Sequence, residues 1–374
     1  MVANHSIQNT DEDDVEFYEG EHNKNGQRHG RGTLFLNSKR TVKFHGKFQH
    51  DLKEGRGCFY FADGSSLSGM FKDDCLNGVG VYTYDDGSTM VGTYSDGMLH
   101  GSCEEFNVSG QLTFKGNYLN NMRIGVCQFF LEFGGTLFGR VNKLGKLSGK
   151  NTVYAYPDNK TFLKGQFEDG ELVCAYPAVY SGVGDKFNPF SYKTIRGEKI
   201  TKDVSTSFII SKSPLDEDIF ESSRVEVKQS SNKNAGEGLF SCVHAQPGEV
   251  MSFYNGVRLT HKEVDERDWL YNDNTISLDE EVVIDVPKPW SDLKFYKASL
   301  GHKANHSFKP NCMYDRFNHP RFGKIKCIRT ISFVQPGDEL FVEYGYDHLK
   351  LDTDAPLWYQ KALVEHLNNK DKKV

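Results

Sequence analysis

Residues 55–71 read Gly55-Arg56-Gly57-Cys58-Phe59-Tyr60-Phe61-Ala62-Asp63-Gly64-Ser65-Ser66-Leu67-Ser68-Gly69-Met70-Phe71. Residues 78–94 repeat the phrase 23 positions later as Gly78-Val79-Gly80-Val81-Tyr82-Thr83-Tyr84-Asp85-Asp86-Gly87-Ser88-Thr89-Met90-Val91-Gly92-Thr93-Tyr94. The register continues on both sides. Gly46, Gly69, Gly92, Gly116 and Gly139 are 23, 23, 24 and 23 residues apart, and Phe48, Phe71, Tyr94 and Tyr118 follow two residues behind the first four. Gly101-Ser102-Cys103 and Gly125-Val126-Cys127 extend the first track; Ser109-Gly110 and Phe133-Gly134 extend the turn track. Of 36 glycines, 25 lie between Gly20 and Gly170, so the periodicity belongs to that half alone. An Asp-Gly between aromatic-rich runs predicts a tight hairpin with both central residues at positive φ. One hairpin cannot bury its face, so stacking at a fixed period predicts a solenoid-like antiparallel sheet.

The rest of the chain is punctuated differently. From Glu171 to Ser223 the period is lost, which reads as a connector with one short strand at Phe208-Ile209-Ile210. Beyond it, strands are predicted at Arg224 to Lys228, Val250 to Asn255, Glu281 to Val286, Lys324 to Arg329 and Glu339 to Tyr344, with helices at His261 to Leu270 and Pro356 to Leu367. The expected organisation is an acidic, disordered tail (1–22), the repeats (23–170), a connector (171–222), a second domain (223–348) and a helical segment (349–374). Composition bounds the function. The 374 residues carry a net charge of −6, which gives no basic field for nucleic acid. No apolar run reaches membrane-spanning length, and the acidic start (Asp11-Glu12-Asp13-Asp14) has no signal-peptide pattern. The eight cysteines form no C-x-x-C pair, which predicts reduced thiols and no zinc cage.

Three stretches of the second half invite chemistry. Ala235-Gly236-Glu237-Gly238-Leu239-Phe240 fails as a dinucleotide fingerprint because the third glycine would fall at Ser241. It reads either as a turn between strands or as backbone wrapped on a ligand. Asn305-His306-Ser307 with Pro310-Asn311 is too dense in polar residues for simple packing. Tyr344-Gly345-Tyr346-Asp347 is either core aromatics or a hydroxyl-lined channel.

The aromatic-x-Gly, Gly-x-Gly and Asp-Gly tracks resemble MORN repeats in five to six copies. The three later stretches, with Glu339-Leu340, resemble in order and spacing the SET domain of protein-lysine methyltransferases. Together the chain resembles the family of SET-domain lysine methyltransferases with N-terminal MORN repeats, which implies a mainly β fold: an antiparallel MORN solenoid, then a SET fold with a knot-like crossing and a C-terminal helix. It departs from many SET enzymes in having Phe308 where they carry cysteine. It departs from the family it resembles in having Ala362 where a glutamate holds the cofactor, with Glu365 as a candidate substitute.

The resemblance further implies transfer of one methyl group from S-adenosylmethionine to a lysine, without metal. Tyr344 would be the catalytic tyrosine, seconded by Tyr254. Ala235, Gly236, Glu237, Asn305, His306 and Trp358 would hold the cofactor. Tyr254, Tyr314, Tyr344 and Tyr346, with Ile276, would line the lysine channel, and Asp265 and Lys326 would contact the substrate peptide. The implied substrates are the lysine at the fourth position of the histone H3 tail and lysines of non-histone proteins, with a nuclear, chromatin location and a monomeric enzyme that binds no nucleic acid directly. Nine acids against the single base Arg267 between Glu263 and Asp285 read either as an attractive face for a basic tail or as an ordinary solvated surface. The rival function is a MORN interaction scaffold with a weak or inactive SET half. A fragment from Glu171 onward is expected to keep activity on short peptides.

Overall fold

The computed structural model describes residues 16–185, 188–232, 235–268, 271–345 and 357–371, and it is mainly β. The chain divides into two units, Met1–Ala155 with Phe162–Lys199 and Tyr156–Thr161 with Ile200–Val374.

In the first unit fifteen strands, from Phe17–His22 to Asn188–Thr194, follow one another across a single antiparallel sheet. The repeated glycines do two separate jobs there. Gly46 faces Gly57, Gly57 faces Gly69, Gly69 faces Gly80 and Gly80 faces Gly92, so a glycine ladder runs across the strands. Aromatic and aliphatic side chains lie flat over that ladder. A Cβ on Gly57 would sit 2.2 Å from Cζ of Phe44, which is itself fully buried and meets Phe71 edge-on at 4.8 Å. The second job is bending. The ladder slips between Gly46 and Phe48, Gly69 and Phe71, and Gly92 and Tyr94. Opposite the second slip Gly78 takes φ 87°, a left-handed conformation that costs glycine nothing.

The turns differ from expectation. At Asp63-Gly64 only Gly64 has positive φ, because the Asp63 carboxylate accepts from Ser65 N (2.9 Å) and closes an Asx turn instead. The two-residue turns with both φ positive are His50-Asp51, Asp73-Asp74, Asp96-Gly97, Asn120-Asn121 and Asp169-Gly170. Each second residue latches onto the preceding repeat. Asp74 N donates to Lys53 O (3.2 Å) while Asp74 Oδ1 accepts from Lys53 N (2.8 Å). Asp51 makes the same exchange with Arg28, and Asn121 with Leu99.

The boundaries also move. Phe17–His22, expected in a disordered tail, pairs with Arg28–Phe35. The first part of the expected connector continues the sheet as Glu171–Asp185 and Asn188–Thr194, whose strands go on pairing after the glycines thin out. Phe208-Ile209-Ile210 is a turn, not a strand: Thr206 Oγ1 accepts from both Phe208 N and Ile209 N, leaving Phe208 90% exposed.

The second unit holds two three-stranded sheets and two short ladders. Val250–Tyr254, Gly323–Thr330 and Cys312–His319 form one sheet; Val257–Thr260, Val282–Asp285 and Thr275–Ser277 form the other. The helix starting at His261 stops at Asp265. Its last carbonyls are taken early, Val264 O by Asn272 Nδ2 (3.2 Å), while Arg267 turns away to Asp285 (3.0 Å); Trp269 and Leu270 lie outside the described residues. Tyr156 stacks on Phe220 (5.2 Å, 4°) and donates from Oη to Asp218 Oδ2 (2.7 Å). His319 Nδ1 accepts from Arg321 N (3.1 Å), so its Nε2 carries the proton shared with the same carboxylate oxygen at 3.1 Å. Burial pushes the Asp218 carboxyl up, but His319, Tyr156 and Glu221 N outweigh it and hold it below the usual range.

A fragment beginning at Glu171 lacks Tyr156–Thr161, which belongs to this unit, so intact activity is no longer the expectation for it. Tyr156→Phe in the full chain leaves the Asp218 carboxylate one donor short and is expected to cost about 1–3 kcal/mol, read as a lower urea midpoint. Asp74→Ala removes a latch acceptor and places alanine at positive φ, and is expected to cost about 1–2 kcal/mol in the same measurement.

Candidate active site

Asn305–His306 pairs in parallel with Phe341–Val342, and Ser307 N extends the pairing to Val342 O (2.9 Å). Asn311 secures the crossing from both ends of its amide, donating to Glu339 O (2.8 Å) and accepting from Phe341 N (2.8 Å). The carboxylate of Glu339 then gathers the segment that leads into the glycine turn. It accepts from Ser230 Oγ (2.7 Å), Ser231 N (2.7 Å) and Asn305 Nδ2 (3.1 Å). Burial would raise this carboxyl, but the Ser231 and Ser230 donors hold it below its usual range. Gly238 makes room for it, since a Cβ there would stand 2.2 Å from Glu339 Oε1. Gly238 of the first stretch and Asn305 of the second therefore meet on one carboxylate, beside Ser230 and Ser231, and sequence reading did not assign its part.

On one side of the crossing lie the residues expected to hold the cofactor. Gly236 takes φ 71° with its carbonyl held by Ser230 N (2.8 Å), and nothing stands within 4 Å of the position a Cβ would take, so the turn is open to a ligand. Ala235 and Glu237 are exposed beside it. Glu237 O accepts from Asn305 Nδ2 (3.0 Å), and the Glu237 carboxylate pairs with Lys303 (2.6 Å), a cation that sequence reading missed although it lies two residues before Asn305. His306 Nδ1 accepts from Tyr344 N (3.2 Å). The Trp358 ring, half-exposed on the helix Leu357–Asp371, stands 6.0 Å from His306 and 6.1 Å from Tyr344. Phe308 meets His306 edge-on (4.5 Å) and stacks on His366 (4.8 Å). An exposed carboxylate and a half-exposed indole beside an open glycine turn, with the Lys303 ammonium held beneath, suit a zwitterionic amino acid joined to an aromatic base.

On the other side the tyrosines converge. Tyr254 is buried and donates from Oη to Asn274 O (2.8 Å); Tyr314 meets its ring at 6.0 Å and 77°. Burial, then the neighbouring Tyr344 and Asp285, hold the Tyr254 hydroxyl far above its usual value, so it remains a neutral donor. Tyr344 Oη donates to Ala304 O (3.0 Å). His302 packs 6.3 Å from Tyr254 and is held neutral, its pKa pushed down to about 3 by burial and by Lys303, which outweigh the backbone of Ser291 and Ser299. Ile276 is half-buried opposite Ile284, and Lys326 is half-buried opposite Tyr254 in the sheet. Asp265 is exposed at the end of its helix, and Tyr346 lies outside the described residues. Six of the nine acids are engaged locally: Glu263 caps the helix, Glu266 pairs with Lys262, Asp285 and Asp273 pair with Arg267 and Lys288, Asp279 closes a turn on Val282 N, and Asp268 also has a partner.

A profile for the SET domain matches residues 236–345, and MORN repeats match at 18–37, 44–66, 68–89 and 91–111. Residues 118–186, expected as further MORN copies and connector, match instead a family described as "Histone H3 K4-specific methyltransferase SET7 N-terminal". The chain is thus a SET-domain protein with N-terminal MORN repeats. A protein of Halocynthia roretzi, "Histone-lysine N-methyltransferase SETD7", is 47% identical over 354 residues, covering 92% of this chain and 91% of the relative. The chain belongs to that family of SET-domain histone-lysine methyltransferases.

Glu339→Ala is expected to cost about 2–3 kcal/mol by orphaning buried donors, with Gly238→Ala reproducing the loss by displacing the same oxygen. Because the Glu339 carboxyl is held below its ordinary 4.5, its contribution is present above that pH and lost as pH falls through the depressed value. Acid unfolding curves of wild type and Glu339→Gln should therefore converge at low pH.

Proposed function

We propose that this chain is a protein-lysine N-methyltransferase that moves one methyl group from S-adenosylmethionine to lysine. Its substrates are the lysine at the fourth position of the histone H3 tail and lysines of non-histone proteins, and it acts in the nucleus on chromatin as a monomer. The observation that carries this reading is the grouping of Tyr254, Tyr344, Asn305 and His306 around one crossing, in a chain 47% identical over nearly its whole length to a histone-lysine methyltransferase.

When bound, S-adenosylmethionine supplies a methyl group on a positively charged sulfur that an amine lone pair can displace in line. Everything else falls to the protein. Ala235, Gly236, Glu237, Asn305, His306 and Trp358 would hold the cofactor, with the Glu237 carboxylate suited to an ammonium and the Trp358 face to a base. The lysine arrives as an ammonium with a pKa of about 10.4 and must lose its proton before it can attack. A channel walled by Tyr254, Tyr314, Tyr344 and Ile276 strips water from the amine and favours its neutral form. The Tyr344 hydroxyl, fixed on Ala304 O, would orient the amine at the point of transfer. The Tyr254 hydroxyl, fixed on Asn274 O, would occupy the space that a methylated nitrogen needs in order to turn for a second transfer. Lys326 and Asp265 would lie along the bound peptide. Asp265, Glu280 and Glu281 would draw a basic tail.

Incubation with labelled S-adenosylmethionine and a panel of histone and non-histone peptides is expected to give monomethyl-lysine in the presence of chelator. No transfer to any peptide, with the cofactor still bound, would favour the scaffold reading that Ala362 raises. Tyr344→Phe should slow every step at least tenfold. Tyr254→Phe should allow dimethyl-lysine while losing about 1–2 kcal/mol of orientation, read by mass spectrometry. A wild type that accumulates trimethyl-lysine would overturn the tyrosine gate.

A further inference from the structure

Between the two halves of the site lies a buried carboxyl that the mechanism above does not use. Glu221 is 1% exposed, in a short turn capped by Asp218 Oδ1, which accepts from Phe220 N (2.9 Å) and Glu221 N (3.0 Å). One of its oxygens, Oε1, accepts three donors from two segments distant in sequence. Ser252 Oγ and Phe253 N (2.7 Å) come from the strand that ends in Tyr254. Leu300 N (2.9 Å) comes from the turn that runs on through Ala304 to Asn305-His306.

The two segments touch directly beside this clasp. A Cβ on Gly301 would stand 2.7 Å from Phe253 O and 2.9 Å from Tyr254 Cβ, so the turn lies hard against the tyrosine's backbone. Three residues further on, Ala304 O receives the Tyr344 hydroxyl. A continuous series of short contacts thus leads from Tyr254 through Gly301 and Ala304 to Tyr344, with Glu221 fastening its middle. Asn255 N, bonded to Ser299 Oγ (3.0 Å), ties the same two segments one residue farther along. Burial, opposed by the Ser252, Phe253 and Leu300 donors and aided by Asp218, pushes the Glu221 carboxyl up to about 8, so glutamine at this position resembles the form present at neutral pH.

We propose that Glu221 is a positioning residue that sets the spacing between the channel tyrosine Tyr254 and the transfer-point tyrosine Tyr344, by clasping the strand Val250–Tyr254 to the turn at Leu300. The inference rests on the methyltransferase reading above. It is distinct from a general stabilising role because its loss should change which product forms as well as how fast.

The test compares full-length wild type, Glu221→Gln and Glu221→Met with labelled S-adenosylmethionine and a lysine peptide, each first shown folded by circular dichroism. Glu221→Gln keeps an acceptor oxygen and is expected to stay within about threefold of wild-type kcat with monomethyl product. Glu221→Met fills the volume but offers the Phe253 and Leu300 amides nothing. It is expected to lose at least tenfold in kcat, with peptide KM changed less than threefold and dimethyl-lysine appearing. Equal kcat and product in folded Glu221→Met, or a Glu221→Gln variant as impaired as Glu221→Met, would overturn the proposal. If Glu221→Met does not fold, Glu221→Asp, which withdraws the oxygen by one methylene, decides in its place by the same criteria. A wild type that transfers no methyl group defeats the functional reading. The clasp is then judged by ultraviolet titration of tyrosine in the three proteins, where an unchanged profile in Glu221→Met would overturn it.

Discussion

Glu339 holds the second unit's crossing together, and much of the site depends on that single carboxylate. It is charged and 6% exposed, and its oxygens are shared among Ser230, Ser231 and Asn305. A buried charge is tolerated only where donors replace the lost water. That requirement brings the serine pair, the glycine turn and the asparagine to one place. The parallel pairing of Asn305–His306 with Phe341–Val342 then delivers His306 and Tyr344 to each other, with ring centres 5.4 Å apart.

The two halves of the chain solve the problem of close approach in different ways. In the sheet, glycine ladders let Phe44 and Leu76 lie flat on the strands, so a single layer acquires a core without a second sheet. In the second unit, single glycines admit single groups. Gly238 admits a carboxylate oxygen, and Gly301 admits the backbone of Phe253 and Tyr254. The first arrangement is periodic and the second is not.

That difference accounts for what the sequence discloses. The 23-residue period is visible because the same steric demand recurs in every repeat, and the tyrosines proposed to line the channel are visible through their place in a family pattern. Hidden from such reading are the latching turns, because His50-Asp51 and Asp73-Asp74 contain no glycine, and a left-handed aspartate carries no mark in the sequence. The extent of the sheet was hidden for the same reason: Glu171–Asp185 pairs normally without the glycine track. Glu221 was hidden because its importance comes from contacts 31 and 79 residues away, in a segment that reads as a connector.

The latches carry a consequence for how such an array can change. Asp51, Asp74 and Asn121 each reach back to the start of the preceding repeat and no farther, spanning 23, 21 and 22 residues. Every bond that fastens one repeat to the next is therefore confined to neighbours, as in other one-dimensional assemblies. A whole repeat can be gained or lost by duplication or deletion while every remaining latch still finds its partner. An insertion of a few residues within a repeat meets no such tolerance. The length of the array is thus free to drift in steps of about one repeat, independently of the chemistry that follows it in the chain.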